Sequence, residues 1–140
     1  MKVYLASPLF NEKENMYIDI VTDILRERNI EVWSPREHET RNGAAVGTAA
    51  WARETFLMDR EAITNSDAIV CLYHGNYSDS GTAWELGFAS AWNIPIILVH
   101  FGNDSNLMCH CSAVANIHMK DLYNYNFSTM PKIEYEGKMF

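Results

Sequence analysis

Residues Asp67–Tyr73 contain the unbroken apolar run Ala68-Ile69-Val70-Cys71-Leu72. A strand with one wet face alternates apolar and polar side chains. A run without alternation is expected of a central strand buried on both faces, which calls for a parallel sheet with helices above and below it. Weaker runs of the same kind recur at Val3–Ala6, Ile30–Trp33, Ile94–His100 and Ala113–His118. The segments between them carry helical spacing. Asn11–Asn29 places Met16, Ile20, Val21, Ile24 and Leu25 at helical intervals, with Asn29 as a C-cap. Thr48–Ser66 brings Trp51, Thr55, Met58 and Ala62 to one side, and Gly81–Asn93 forms a third helix. Ser34-Pro35 ends the second strand. Phe101–Ser112 reads as a loop, a short helix follows the last strand, and Asn124–Phe140 is aromatic and irregular.

This alternation predicts an α/β fold: a doubly wound, flavodoxin-like open parallel sheet of about five strands with helices on both faces. The 140 residues suit a single domain over 1–140, and 48% hydrophobic residues supply its core. Ligands of such sheets bind at the carboxyl ends of the strands. The candidate loops are therefore Ser7–Phe10, Arg36–Gly47, His74–Gly81 and Phe101–Met108.

The net charge is −7, from 18 acidic and 11 basic residues, and Lys and Arg form no basic run. A nucleic-acid polymer is a disfavoured partner, because its binding relies on phosphate neutralisation. An uncharged small substrate fits the balance. No stretch approaches the roughly 20 apolar residues of a membrane span. The first residues enter a strand-like run without a signal-peptide pattern. Three cysteines do not suggest a disulfide framework. A cytoplasmic protein without membrane contact is expected. Cys109-His110-Cys111 lacks a second ligand pair, so no metal is expected. Cys71 falls in the predicted central strand, and His38, His74, His100 and His118 have no obvious partner. Neither a dinucleotide fingerprint nor a Walker sequence is present, and no cofactor is expected.

The segment Asp79-Ser80-Gly81-Thr82-Ala83-Trp84-Glu85-Leu86-Gly87-Phe88-Ala89 lies where the central strand turns into a helix. Glu85 falls in the first turn of the predicted helix, where the macrodipole favours its ionised form. Its apolar neighbours favour protonation instead. Two roles are open. Thr82 and Glu85 have the spacing of a capping box, in which Glu85 only caps its helix. Alternatively, Glu85, Asp79 and Asp59 converge on one crevice as acid–base groups.

These residues resemble the nucleoside 2-deoxyribosyltransferases almost from end to end. The resemblance is carried by Val3-Tyr4-Leu5-Ala6 with Phe10, the Asp59 helix, the loop from Asp79 to Trp84 and Glu85-Leu86-Gly87-Phe88-Ala89. Asn106-Leu107-Met108 and Tyr135-Glu136-Gly137-Lys138-Met139-Phe140 complete it. It implies that Glu85 is the nucleophile, Asp59 a proton donor to the leaving base and Tyr4 a phenol holding the nucleophile. It implies that Asp79 contacts a sugar hydroxyl and that Phe10 and Met108 line the site. It also implies that a neighbouring subunit supplies Asn106 to the 5'-hydroxyl, and that Phe140 brings the chain end close. Family members commonly carry Tyr at that last position, and Phe keeps only the ring. Arg36–Gly47, the base-reading loop, aligns poorly with the family.

The implied partners are 2'-deoxynucleosides and free nucleobases. The implied reaction moves 2-deoxyribose between bases through a covalent deoxyribosyl–Glu85 intermediate. Trp33, Trp51, Trp84 and Phe10 are candidate walls that exclude water, or simple core. Two rivals remain. One is a 2'-deoxynucleoside 5'-phosphate N-hydrolase, with Ser7 and Arg36 near the phosphate. The other is a non-catalytic nucleotide- or flavin-binding module. Shared sites and the aromatic tail (Tyr123, Tyr125, Phe127, Tyr135, Phe140) predict a homo-oligomer, a dimer or a hexamer of dimers.

Overall fold

The structure, a computed structural model, describes residues 1–75 and 79–140. Five strands form one sheet: β1 (Lys2–Ala6), β2 (Glu31–Trp33), β3 (Ala68–Tyr73), β4 (Ile96–His100) and β5 (Ala115–His118). Their order is β2-β1-β3-β4-β5, and every pairing is parallel. Four helices connect them: α1 (Glu12–Glu27), α2 (Ala49–Thr64), α3 (Ser80–Ala91) and α4 (Leu107–Ser112). The expected doubly wound α/β sheet is therefore present. Its strand order reverses between β1 and β3, which opens a crevice over the carboxyl ends of those two strands.

The strand period divides the core between the faces. On β3, Val70 and Leu72 join α1 residues Ile18, Val21 and Leu25 on one face. Ile69 and Cys71 join Ala62 and Ile63 of α2 and Leu86 and Ala89 of α3 on the other. Tyr4 of β1 belongs to this second face, beneath α2 and α3. No helix among the described residues is long and apolar enough to cross a membrane.

Local chemistry sets the helix boundaries. Asn11 caps α1 by accepting from Glu14 N, while the Glu14 carboxylate accepts from Phe10 N. Two orphan donors are thus satisfied at once. Arg28, not Asn29, is the C-cap of α1. Asn29 follows it with φ 58°, a left-handed conformation that asparagine tolerates. The expected loop Phe101–Ser112 contains α4, whose six residues are too few for a periodicity signal. The expected loop at His74–Ser80 includes residues 76–78, which lie outside the described residues.

The tail departs most from expectation. Leu122, Tyr125 and Phe127 are buried against the chain's own α1 face. Arg28 donates to the carbonyls of Leu122 and Tyr125 and lies 5.1 Å from the Phe127 ring centroid. Asn116 N donates to Ile133 O, and Ile133 N to Val114 O, which ties the later tail to β5. A cation thus satisfies two carbonyls of a segment that has no regular ladder of its own. Tyr125 and Phe127 therefore need no second subunit, whereas Tyr123 and Phe140 stay exposed. Phe127→Ala is expected to destabilise the fold by about 3 kcal/mol. Denaturant midpoints at two protein concentrations check this, since an intrachain contact gives a loss independent of concentration.

Candidate active site

β3 and α3 are joined at the switch-point crevice, and Asp79 sets where α3 begins. Its carboxylate accepts from Gly81 N at 2.9 Å, Thr82 N at 3.0 Å and the Thr82 hydroxyl at 2.5 Å. Asp79 is thus the N-cap of α3. Thr82 is the third residue of the helix, and Glu85 lies in its second turn. Both sequence-level placements of Glu85, in the first turn and in a capping box with Thr82, are overturned. Asp79 starts the helix earlier and already satisfies the donors that a Glu85 cap would serve.

Glu85 instead turns toward the sheet. Tyr4 donates its phenol to Glu85 Oε1 at 2.5 Å across 81 positions of sequence. Tyr4 is wholly buried on β1, which pairs directly with β3. Burial, followed by the charges of Glu85 and Asp59, drives the phenol far above its ordinary range. Tyr4 therefore acts as a fixed donor. Burial raises the Glu85 carboxyl to about 8; the Tyr4 hydrogen bond opposes this rise, and Asp59 and Asp79 add to it. Burial alone raises Asp59 to about 6.

Glu85 and Asp59 share a cleft of about 390 Å³ between α2 and α3. Trp51, Thr55, Phe56 and Trp84 wall it, so two of the candidate aromatic walls are in place. The Trp84 ring lies 5.3 Å from Phe56 and stacks on Phe88 at the same distance. Trp33 reaches the site differently, by stacking on Tyr4. Phe10 is 75% exposed and lines neither this cleft nor its neighbour.

The remaining predicted residues gather on the other flank of α3. Asp79, Asn106 and Met108 line a cavity of about 470 Å³ between α3 and α4. Asn106 caps α4, accepting from Met108 N and Cys109 N. The backbone oxygen of Phe140 accepts from Leu107 N at 3.0 Å, which docks this segment beside Asn106. The Phe140 ring itself is 77% exposed. The predicted residues thus form two adjacent sets around the first turns of α3. Tyr4, Asp59 and Glu85 make one, and Asp79, Asn106 and Met108 the other. Cys109 and His110 are buried on α4, and no group of three His, Cys, Asp or Glu among the described residues is placed to hold a metal.

A sequence model of the nucleoside 2-deoxyribosyltransferase family matches residues 3–126. A nucleoside deoxyribosyltransferase of Limosilactobacillus fermentum is 28% identical over 109 residues, and the match spans 71% of this chain. The chain spans 65% of that curated relative's length. A 2-deoxyribosyltransferase from Bacillus psychrosaccharolyticus superposes with a TM-score of 0.90 at 35% identity, covering 96% of this chain and 99% of that one. A CMP N-glycosidase from Clostridium botulinum shares the fold, with a TM-score of 0.60 at 22% identity over 89% of this chain and 95% of its own. The family match takes in Tyr4, Asp59, Asp79, Glu85, Asn106 and Met108, and with it this chain belongs to the nucleoside 2-deoxyribosyltransferase family.

Proposed function

We propose that this chain transfers 2-deoxyribose between nucleobases by double displacement, as a single cytoplasmic domain that uses no cofactor. The observation that carries the reading is the Tyr4–Glu85 hydrogen bond in a cleft shared with Asp59. Tyr4 occupies Oε1 and leaves Oε2 to attack C1' of the deoxyribose. The C1'–N bond breaks, its electron pair goes to the base, and Asp59 supplies the proton. The product is a deoxyribosyl ester of Glu85. A second base attacks the same carbon, the ester bond returns its electrons to Glu85, and the incoming N–H gives its proton to Asp59. The transition state carries oxocarbenium charge, which a nearby carboxylate stabilises. The aromatic wall of Trp51, Phe56 and Trp84 disfavours water as acceptor. The tight Tyr4–Glu85 floor favours a sugar without a 2'-hydroxyl.

The hydrolase alternative needs groups for a 5'-phosphate. The Ser7 hydroxyl donates to Pro8 O, and Arg36 is tied to Asn15 and Asp19. These commitments count against both residues as phosphate ligands. A binding module would leave the Tyr4–Glu85–Asp59 arrangement without a task. In the reading proposed here, Asp79 and Asn106 hold sugar hydroxyls and Met108 is apolar lining. Asn106 and Met108 line the neighbouring cavity rather than the Glu85 cleft, and Met108 is 74% exposed. This placement supports a homo-oligomer, a dimer or hexamer, in which Asn106 completes a neighbour's site.

Glu85→Gln is expected to abolish base exchange in an assay of deoxyinosine with cytosine. It should also change stability in a pH-dependent way. The folded carboxyl is raised, so its contribution is full below about 4.5 and is lost as pH rises through about 8. Glutamine does not ionise, so the variant should melt a few degrees above the wild type at pH 9 and show no advantage at pH 4. Retained exchange in a folded variant would falsify the nucleophile.

The acid–base assignment predicts a bell-shaped kcat/KM profile with limbs near pH 6 and pH 8. The reactive form, with Glu85 ionised and Asp59 protonated, is then only about 1% of molecules at the optimum. Asp59→Asn should convert the bell into a single rise toward alkaline pH. A bell retained by that variant would remove Asp59 from the mechanism.

Shared sites predict complementation. Glu85→Ala and Asn106→Ala proteins, each inactive alone, should recover activity when their subunits are exchanged. No recovery despite verified exchange would count against a shared site.

A further inference from the structure

The phenol that holds Glu85 is itself held. Tyr4 and Trp33 are register partners on neighbouring parallel strands, so their side chains stand on the same sheet face. Their rings stack with centroids 5.2 Å apart and planes 16° apart. Trp33 stacks in turn with His38, at 4.4 Å and 14°. His38 is exposed and belongs to the connection from β2 to α2, just after the 3-10 turn Pro35–Glu37. Three rings thus run from a surface connection to the nucleophile. Among the described residues, Trp33 is the only ring stacked on Tyr4.

The ladder matters because a hydrogen bond weakens steeply as its geometry loosens. β2 is an edge strand of three residues, and its Trp33 ring packs against the core cluster that holds Tyr4. A stacked aromatic pair contributes orientation beyond the area it buries.

We propose that Trp33 is a positioning residue of the exchange reaction: its indole holds the Tyr4 ring so that Oη stays on Glu85 Oε1, and His38 supports the indole from the β2–α2 connection. The inference rests on the reading of Glu85 as nucleophile. The groups acting on Glu85 are Tyr4 from β1, Asp59 from α2 and Asp79 at the start of α3, and no change at Trp33 removes any of them. Loosening Tyr4 withdraws a contact that favours the Glu85 anion. The reactive fraction then falls, and the alkaline limb of the kcat/KM profile moves upward.

The test measures kcat/KM for base exchange against pH. Trp33→Leu should move the alkaline limb up by about one pH unit and lower the plateau about tenfold. Trp33→Phe, which keeps a stacking ring, should restore most of both. Tyr4→Phe should show the same shift. Adding Trp33→Leu to it should bring little further loss, because both changes remove one interaction. His38→Ala should shift the limb in the same direction by less, and His38→Phe should not. If Trp33→Leu does not fold, the His38 pair carries the test, since it alters only an exposed ring. The proposal is overturned if Trp33→Leu leaves the limb unmoved, or lowers Tyr4→Phe by the same factor as the wild type. It is equally overturned if His38→Phe shifts the limb as much as His38→Ala, which would point to charge. An active Glu85→Gln would sink the nucleophile reading itself. Unmoved limbs beside an inactive Glu85→Gln would sink only the role of Trp33.

Discussion

The pairing of β1 with β3 governs how Tyr4 meets Glu85. The register sets Tyr4 opposite Ile69 and Ala6 opposite Cys71. It fixes which face Tyr4 takes, because a slip of one residue would send its ring to the α1 side. The same pairing aligns the carboxyl end of β1 with the start of α3. The Tyr4–Glu85 bond then closes across the strand–helix junction. Both faces of the sheet are packed, so this register has no low-energy alternative.

Burial of Glu85 creates the site's central conflict. In the proposed reaction the carboxylate needs a dry cleft to hold off water, yet the same dryness raises its proton affinity. Tyr4 opposes that rise without introducing a competing charge, because its own phenol is too weakly acidic to ionise. A lysine in the same place would favour the anion more strongly but would repel the oxocarbenium charge of the proposed reaction. The pairing therefore suits a reaction in which positive charge appears on the substrate.

Cavities flank α3 on both sides, and its capped first turn lies between them. Asp79 directs its carboxylate back onto Gly81 and Thr82, so the first turn stands between the α2 side and the α4 side. Glu85 opens to one and Asp79 to the other. Asn106 is fixed on the second side by capping α4, and Phe140 is fastened beside it through Leu107. Two of the candidate site groups, Asp79 and Asn106, thus also serve as helix caps, which ties their placement to the stability of the helices they start.

The fold class was legible in the chain alone, because short continuous apolar runs alternating with helical periods call for strands covered on both faces. The sequence also marked Glu85, Asp79 and Asp59 as carboxylates of one crevice, whereas the structure puts Glu85 and Asp59 in one cleft and Asp79 in the neighbouring one. Its local signals misassigned the cap of α3: Thr82 and Glu85 have capping-box spacing, and only the loop conformation at Asp79 shows which residue caps. It also left α4 hidden, because six residues do not display a period. The packing of Tyr125 and Phe127 onto α1 was illegible for a related reason: the carbonyls of that segment are satisfied by Arg28, 94 and 97 positions away. The Tyr4–Trp33–His38 ladder likewise depends on strand register and on the path of one connection. Short-range pattern records what each segment buries. Which side chains then meet is decided by contacts between segments far apart in the chain, and those exist only once the sheet has closed.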